Sequence, residues 1–299
     1  MTVYKDYLAG KAAELFLDFH AVRGAGDGQP EDILYRRVVD QEAYDTWHLS
    51  WYFNEILELH GLLKGPTPRL ADIPRKEKHL LMYLLIEAWN GDGRIDLLEF
   101  GCSLFELIDG LQLVDKVLGL RTDLLSRLRF HGVDLSDVMR AGAERLHPDC
   151  AIGFSKTLPD VARSFDIVYD RNVSSYALTT PADLIGLMNL GKVSFHNLFV
   201  SRGDTFLSMR MGKSITYFGL KELIAGLDRP LFHLFGRSSR GTSAVNFDAT
   251  LGRDVIEGFF LCADEAFARR WLDAANSRPE VRAWFAEKEI GLTRAENLL

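Results

Sequence analysis

The chain has 299 residues, 47% of them hydrophobic and 26% charged, and a formal net charge of −7. That balance fits one large α/β domain, or one domain plus a cap, and makes a sizeable core rather than disorder the default. The acidic balance and the lack of a basic stripe argue against nucleic acid as a partner: SRGDTFLSMRMGK holds only Arg202, Arg210 and Lys213. No apolar run approaches the roughly 20 residues that span a bilayer. The opening MTVYKDYLAGKAAELF mixes charges with apolar residues, unlike a secretory signal, so no membrane partner and a cytoplasmic location are expected. Cys102, Cys150 and Cys262 have neither C-x-x-C spacing nor a nearby histidine pair, so no metal site or disulfide framework is expected.

Residues 1–90 read as a helical cap. Gly24 to Pro30 is a break, and Glu31 to Leu63 then has helical apolar spacing through Ile33, Leu34, Val38, Tyr44, Trp47, Trp51, Ile56 and Leu59. Lys64-Gly65-Pro66-Thr67-Pro68 ends that helix, and Lys76 to Trp89 predicts another. Residues 91–299 read as an α/β domain. Its strand-like runs are Ile95 to Phe100, Phe130 to Leu135, Ala151 to Phe154, Phe165 to Tyr169, Lys192 to Val200, Leu231 to Phe235 and Val255 to Cys262. Phe206 to Arg210 is expected to pair with the fifth run or extend it. Alternation with helical stretches predicts a mostly parallel sheet, its last two runs forming an antiparallel end. Ala263 to Leu299 predicts an outer helical tail.

Ligands of an open parallel sheet sit beyond the carboxyl ends of its strands, and three such ends carry suggestive chemistry. In Leu98-Glu99-Phe100-Gly101-Cys102-Ser103 an acid closes the strand and a glycine opens the turn. In Gly132-Val133-Asp134-Leu135-Ser136 an acid is placed to accept bonds from two ribose hydroxyls, or else to cap the next helix. In Phe165-Asp166-Ile167-Val168-Tyr169-Asp170-Arg171-Asn172 an apolar strand runs into a polar cluster.

Order and spacing of these three segments resemble the class I S-adenosylmethionine (SAM)-dependent methyltransferases over roughly residues 90 to 262. The G-V-D-L-S and F-D-I-V segments carry the likeness. The resemblance implies a Rossmann-like sheet with SAM as cofactor. It implies Glu99, Gly101 and Ser103 beside the methionine part, Asp134 on the ribose and Leu135 on the adenine. Ser155 and Lys156 would then stand at the adenine edge, and Tyr169, Asp170 and Arg171 beside the sulfonium. The family's E/D-x-G-x-G-x-G loop keeps only Gly101 here. Ser103 and Phe105 stand at the next two glycine positions, and the bulk of Phe105 implies an altered pose of the methionine end.

Acceptor motifs for nucleobases or glutamine are missing, since Tyr169-Asp170-Arg171-Asn172 replaces N/D-P-P-Y. The expectation is methyl transfer to a small molecule in secondary metabolism. Tyr176, Arg171 and His48 are the catalytic candidates, with His20, His131 and His196 as further possible bases. Tyr35, Tyr44, Trp47, Trp51 and Tyr52 would close an aromatic cap over the site, although Trp47 and Trp51, four apart, also suit a packed core. Arg36 and Arg37 could hold a carboxylate. Two other readings stand beside this one. The fold also hosts azetidine-2-carboxylate synthases, which cyclise SAM itself and release methylthioadenosine; a rebuilt first loop would suit them. Loss of the loop glycines would also suit a SAM-binding protein without turnover.

Overall fold

The computed structural model describes residues 56, 58–74, 76–89, 93–119, 125–158, 164–171, 173–210, 213–236, 246–248 and 253–299. His20, Tyr35, Arg36, Arg37, Tyr44, Trp47, His48, Trp51 and Tyr52 lie outside them, as does Asn172. A helical segment over 58–64 stops at Gly65 and Pro66, where the sequence predicts a break. Its last turn is fixed by Lys116, whose Nζ donates to the carbonyls of Leu63 at 2.7 Å and Gly65 at 2.8 Å.

The next helix, α1 (Lys76–Glu87), buries every residue from Leu80 to Ile86. A helix apolar all round must be enclosed on all sides. Here it packs between α2 (Glu106–Leu118) and α7 (Glu265–Asn276), where Trp271 Nε1 donates to the Leu81 carbonyl at 3.3 Å.

The central strands are β1 (Ile95–Phe100), β2 (Leu128–Val133), β3 (Ile152–Ser155), β4 (Phe165–Arg171) and β5 (Gly191–Ser201). They pair in parallel in the order β3-β2-β1-β4-β5. Next to β5 runs β10 (Arg253–Cys262), antiparallel both to β5 and to β8 (Leu231–Phe235). The expected antiparallel end is therefore present. Helices α3 (Asp137–Leu146), α4 (Ser174–Ala177) and α5 (Pro181–Asn189) follow β2 and β4, and α6 (Leu220–Gly226) precedes β8. Alternate residues divide between two cores. Leu97, Phe130, Ile167 and Phe195 meet α1, α2 and α7, whereas Leu98, Val133, Val168 and Leu198 meet α5 and α6. This two-faced burial explains the near-continuous apolar strands. The architecture is that of the class I methyltransferase fold.

Three elements differ from the sequence reading. Strand β6 (Phe206–Arg210) pairs with β7 (Lys213–Gly219), not with β5; only the end of β7 joins the sheet, at Val200 and Ser201. All of Ile215 to Phe218 is buried in β7. The tail is not purely helical. After α7 and α8 (Pro279–Glu287) it returns as β11 (Gly291–Arg294), antiparallel to β8. Four residues are too few for a period, and the neighbour's edge recruits them. A third, short strand, β9 (Asn246–Asp248), pairs with the start of β10.

His233 in β8 is 1% exposed and packs on Phe260, and neither ring nitrogen has a hydrogen-bond partner. Burial pushes its pKa down to about 4. The folded state therefore resists a proton that the unfolded chain accepts near 6.5. Stability should be complete above about pH 6.5 and fall as the pH drops toward 4, by about 3 kcal/mol for this group. Urea unfolding at pH 7 and pH 4.5 should show His233→Phe losing less stability on acidification than the wild type. An equal loss in both would contradict this account.

Candidate active site at the carboxyl ends of β1 and β2

After Phe100 the chain turns sharply over β2, with the Gly101 amide donating to the Val133 carbonyl at 2.8 Å. Gly101 has φ +74°, and a Cβ there would lie 2.3 Å from Val173 Cγ2. Glycine is thus required for conformation and for space. Ser103 and Phe105 also have positive φ, +49° and +56°. The path open to a glycine-rich loop is kept with side chains in place, at roughly 1–2 kcal/mol per residue.

Contacts around the turn offset that strain. Phe105 N donates to Cys102 O at 2.8 Å, and Ser103 Oγ lies 3.7 Å from Met139 Sδ. The Phe105 ring is fully buried, edge-on to Phe130 and Phe154. It belongs to the α1–α2 core and does not line the cavity, so its bulk gives no reason for an altered ligand pose. Room for it comes from Gly132, where a Cβ would meet Cys102 Sγ at 2.3 Å and Phe105 Cζ at 2.8 Å. Burial, followed by the charges of Asp134 and Glu99, pushes the Cys102 thiol well up, which leaves it a protonated structural group.

Asp134 follows β2 and is 8% exposed. Its Oδ2 accepts from the Ser103 amide at 2.9 Å and its Oδ1 from the Ser136 amide at 3.0 Å. The cap of α3 is not Asp134 but Ser136, whose Oγ accepts from Met139 N at 3.1 Å. Asp134 instead ties the β1 turn to the start of α3. Each carboxylate oxygen has two lone pairs, so one amide bond does not saturate it.

A cavity of about 520 Å³ opens here. Its lining comes from the ends of β1, β2 and β3, with Gly101, Asp134, Leu135 and Lys156, and from the chain after β4 through α5, with Val173, Leu178, Gly186 and Leu187. The lining after β4 was not foreseen. Its only signal is Thr180-Pro181, which starts α5: Thr180 Oγ1 accepts from Asp183 N at 3.2 Å, with proline in the first turn.

The remaining candidates divide by place. Ser155 borders the lining residue Lys156; its carbonyl accepts from Asp134 N at 3.2 Å and its Oγ lies 2.9 Å from His131 Nε2. Glu99, Ser103 and Tyr169 are each 1% exposed and do not line the cavity. Asp170 is fully buried, accepting from the amides of Val173 at 2.9 Å and Ser174 at 3.1 Å and from the Ser174 hydroxyl. It caps α4, with His196 Nδ1 3.5 Å away. Arg171 is ion-paired with Glu106, and Tyr176 packs edge-on to Phe199 at 6.2 Å. Neither lines the cavity.

Fold and site together define a Rossmann-like domain whose cavity lies at the strand ends, with an acid after β2. No family model and no curated protein matches the chain. Solved structures do. The magnesium protoporphyrin IX methyltransferase of Synechocystis PCC 6803, with bound SAM, shares 11% identity over 76% of this chain and 99% of its own, with a TM-score of 0.41. Phosphoethanolamine N-methyltransferase 2 of Haemonchus contortus, in complex with SAM, shares 14% over 77% of this chain and 60% of its own, with a TM-score of 0.45. A SAM-dependent methyltransferase of Mesorhizobium loti shares 15% over 60% of this chain and 94% of its own, with a TM-score of 0.33. Such distant likenesses carry no argument about chemistry, which rests on the cavity.

Proposed function

We propose that the protein binds SAM in the cavity beyond β1 and β2 and catalyses methyl transfer to a small-molecule acceptor. The observation that carries this reading is Asp134, a carboxylate at the cavity wall, fixed by two backbone amides beside the β1 turn, whose Gly101 has no room for a side chain against Val173. A carboxylate so held is an acceptor for a ribose diol. Leu135 gives an apolar surface for adenine, and Lys156 borders its edge. Gly101 lets the backbone come close, the Ser103 amide ties the turn to Asp134, and Glu99 stands in β1 just before it.

SAM supplies an electrophilic methyl group on a sulfonium, and its departure leaves S-adenosylhomocysteine. The chain's task is to position that group, exclude water and hold the acceptor. Tyr176, Arg171 and His48 are proposed for the acceptor side, with residues 1–90 as the cap and a place in small-molecule biosynthesis. The cyclising alternative drew its support from the rebuilt first loop and the aromatic cap; of these, the ring of Phe105 packs into the core away from the cavity.

Incubation with SAM alone, followed by mass spectrometry, separates the readings. Bound but intact SAM, giving S-adenosylhomocysteine once an acceptor pool of small-molecule extract is added, is the expected result. Methylthioadenosine and a cyclic amino acid from SAM alone would overturn it in favour of a lyase.

A further inference from the structure

Two of the three left-handed residues in the β1 turn are not glycine, so the turn needs support that glycine would make unnecessary. Helix α3 supplies it at both ends. Near its start Met139 Sδ meets Ser103 Oγ, and just past its end His147 Nε2 lies 3.2 Å from the Leu104 carbonyl. A carbonyl only accepts, so that nitrogen must carry the proton.

Behind His147 stands Asp109 of α2, 2% exposed at its side chain, with Oδ2 at 3.7 Å from the same nitrogen. The acid favours the tautomer that bonds Leu104. Its other oxygen lies 3.1 Å from His60 Nε2, on the segment over 58–64. Burial holds the His147 pKa below its ordinary value, so the ring is neutral near pH 7 and adds no charge beside the cavity. None of His60, Asp109 and His147 lines the cavity.

We infer that His147 is a positioning residue for the nucleotide-binding turn: by holding the Leu104 carbonyl it keeps the neighbouring Ser103 amide on Asp134 and so sets the affinity for SAM. Asp109 orients the ring, and His60 links this arrangement to the helical segment before the sheet. Glycine's freedom in the turn is thus replaced by a side-chain clamp. The inference rests on the SAM-binding reading, but the clamp itself has a consequence that needs no ligand. Cys102, fully buried inside the same turn, becomes accessible when the turn opens.

The test compares His147→Gln, which keeps an N–H donor, with His147→Leu, which does not. The first readout is calorimetric titration with SAM. The second is alkylation of Cys102 by iodoacetamide without ligand, followed on its own peptide. We expect His147→Leu to bind SAM about tenfold more weakly and to alkylate at Cys102 several-fold faster, with His147→Gln close to wild type in both. Should His147→Leu not fold, Asp109→Asn is expected to give the same two changes in smaller measure. Wild-type alkylation and affinity in His147→Leu, or equal defects in Gln and Leu, would overturn the clamp. Failure of the wild type to bind SAM would instead overturn the functional reading, leaving the alkylation rates to decide the clamp.

Discussion

Replacing Asp134 by alanine is expected to weaken SAM binding by about a hundredfold and also to lower stability. The second effect follows from geometry: the carboxylate accepts from the amides of Ser103 and Ser136, and both donors lose a charged partner. At about 1.5–3 kcal/mol for each charge-assisted bond, the loss is roughly 3–6 kcal/mol. Affinity falls for two reasons, the missing acceptor for the ribose and the released turn. Asp134→Asn separates them, because its one remaining oxygen keeps part of the local bonding. Calorimetry below the unfolding range of both variants measures binding, and urea unfolding measures stability. Wild-type affinity in a folded Asp134→Ala protein would remove the basis for the site.

Gly101→Ala should damage the fold to a comparable degree. At φ +74° an L-residue costs roughly 1–2 kcal/mol. The new Cβ would sit 2.3 Å from Val173 Cγ2, inside any allowed contact, and relief would have to move the β1 turn or the β4 end. Overpacking of this kind adds roughly 1–3 kcal/mol. The expected total is about 3 kcal/mol, with SAM binding lost because Gly101 and Val173 both line the cavity. Val173→Ala in the same chain removes the two methyl clashes and should return part of the lost stability, leaving the Val173 Cβ contact at 2.8 Å and the backbone strain. No recovery in the double variant would mean that the Val173 contact is not the cause.

The sheet was legible because its strands are buried on both faces, and runs such as Phe165 to Tyr169 read as strands without any partner. That Gly101 and Asp134 stand together at the ends of β1 and β2, on one cavity, was legible from the order and spacing of the three strand-end segments, not from either residue alone. Phe105 was misread for a physical reason. Sequence position says where a backbone atom lies but not which core its side chain enters, and only Gly132 across β2 reveals the room behind it. Asp170 resembled a site residue but caps α4, since a carboxylate at a strand end serves ligands and backbone amides equally well. The clamp through His147 joins residues 43 positions apart, and no local pattern announces such a bond.

The most direct test of the central claim is a calorimetric titration of S-adenosylhomocysteine into the wild type and Asp134→Asn at pH 7.5. Saturable binding at one site per chain in the wild type, weakened at least about tenfold by the substitution, is the predicted result. No binding to a folded wild-type protein, or equal affinity in the two, would contradict it.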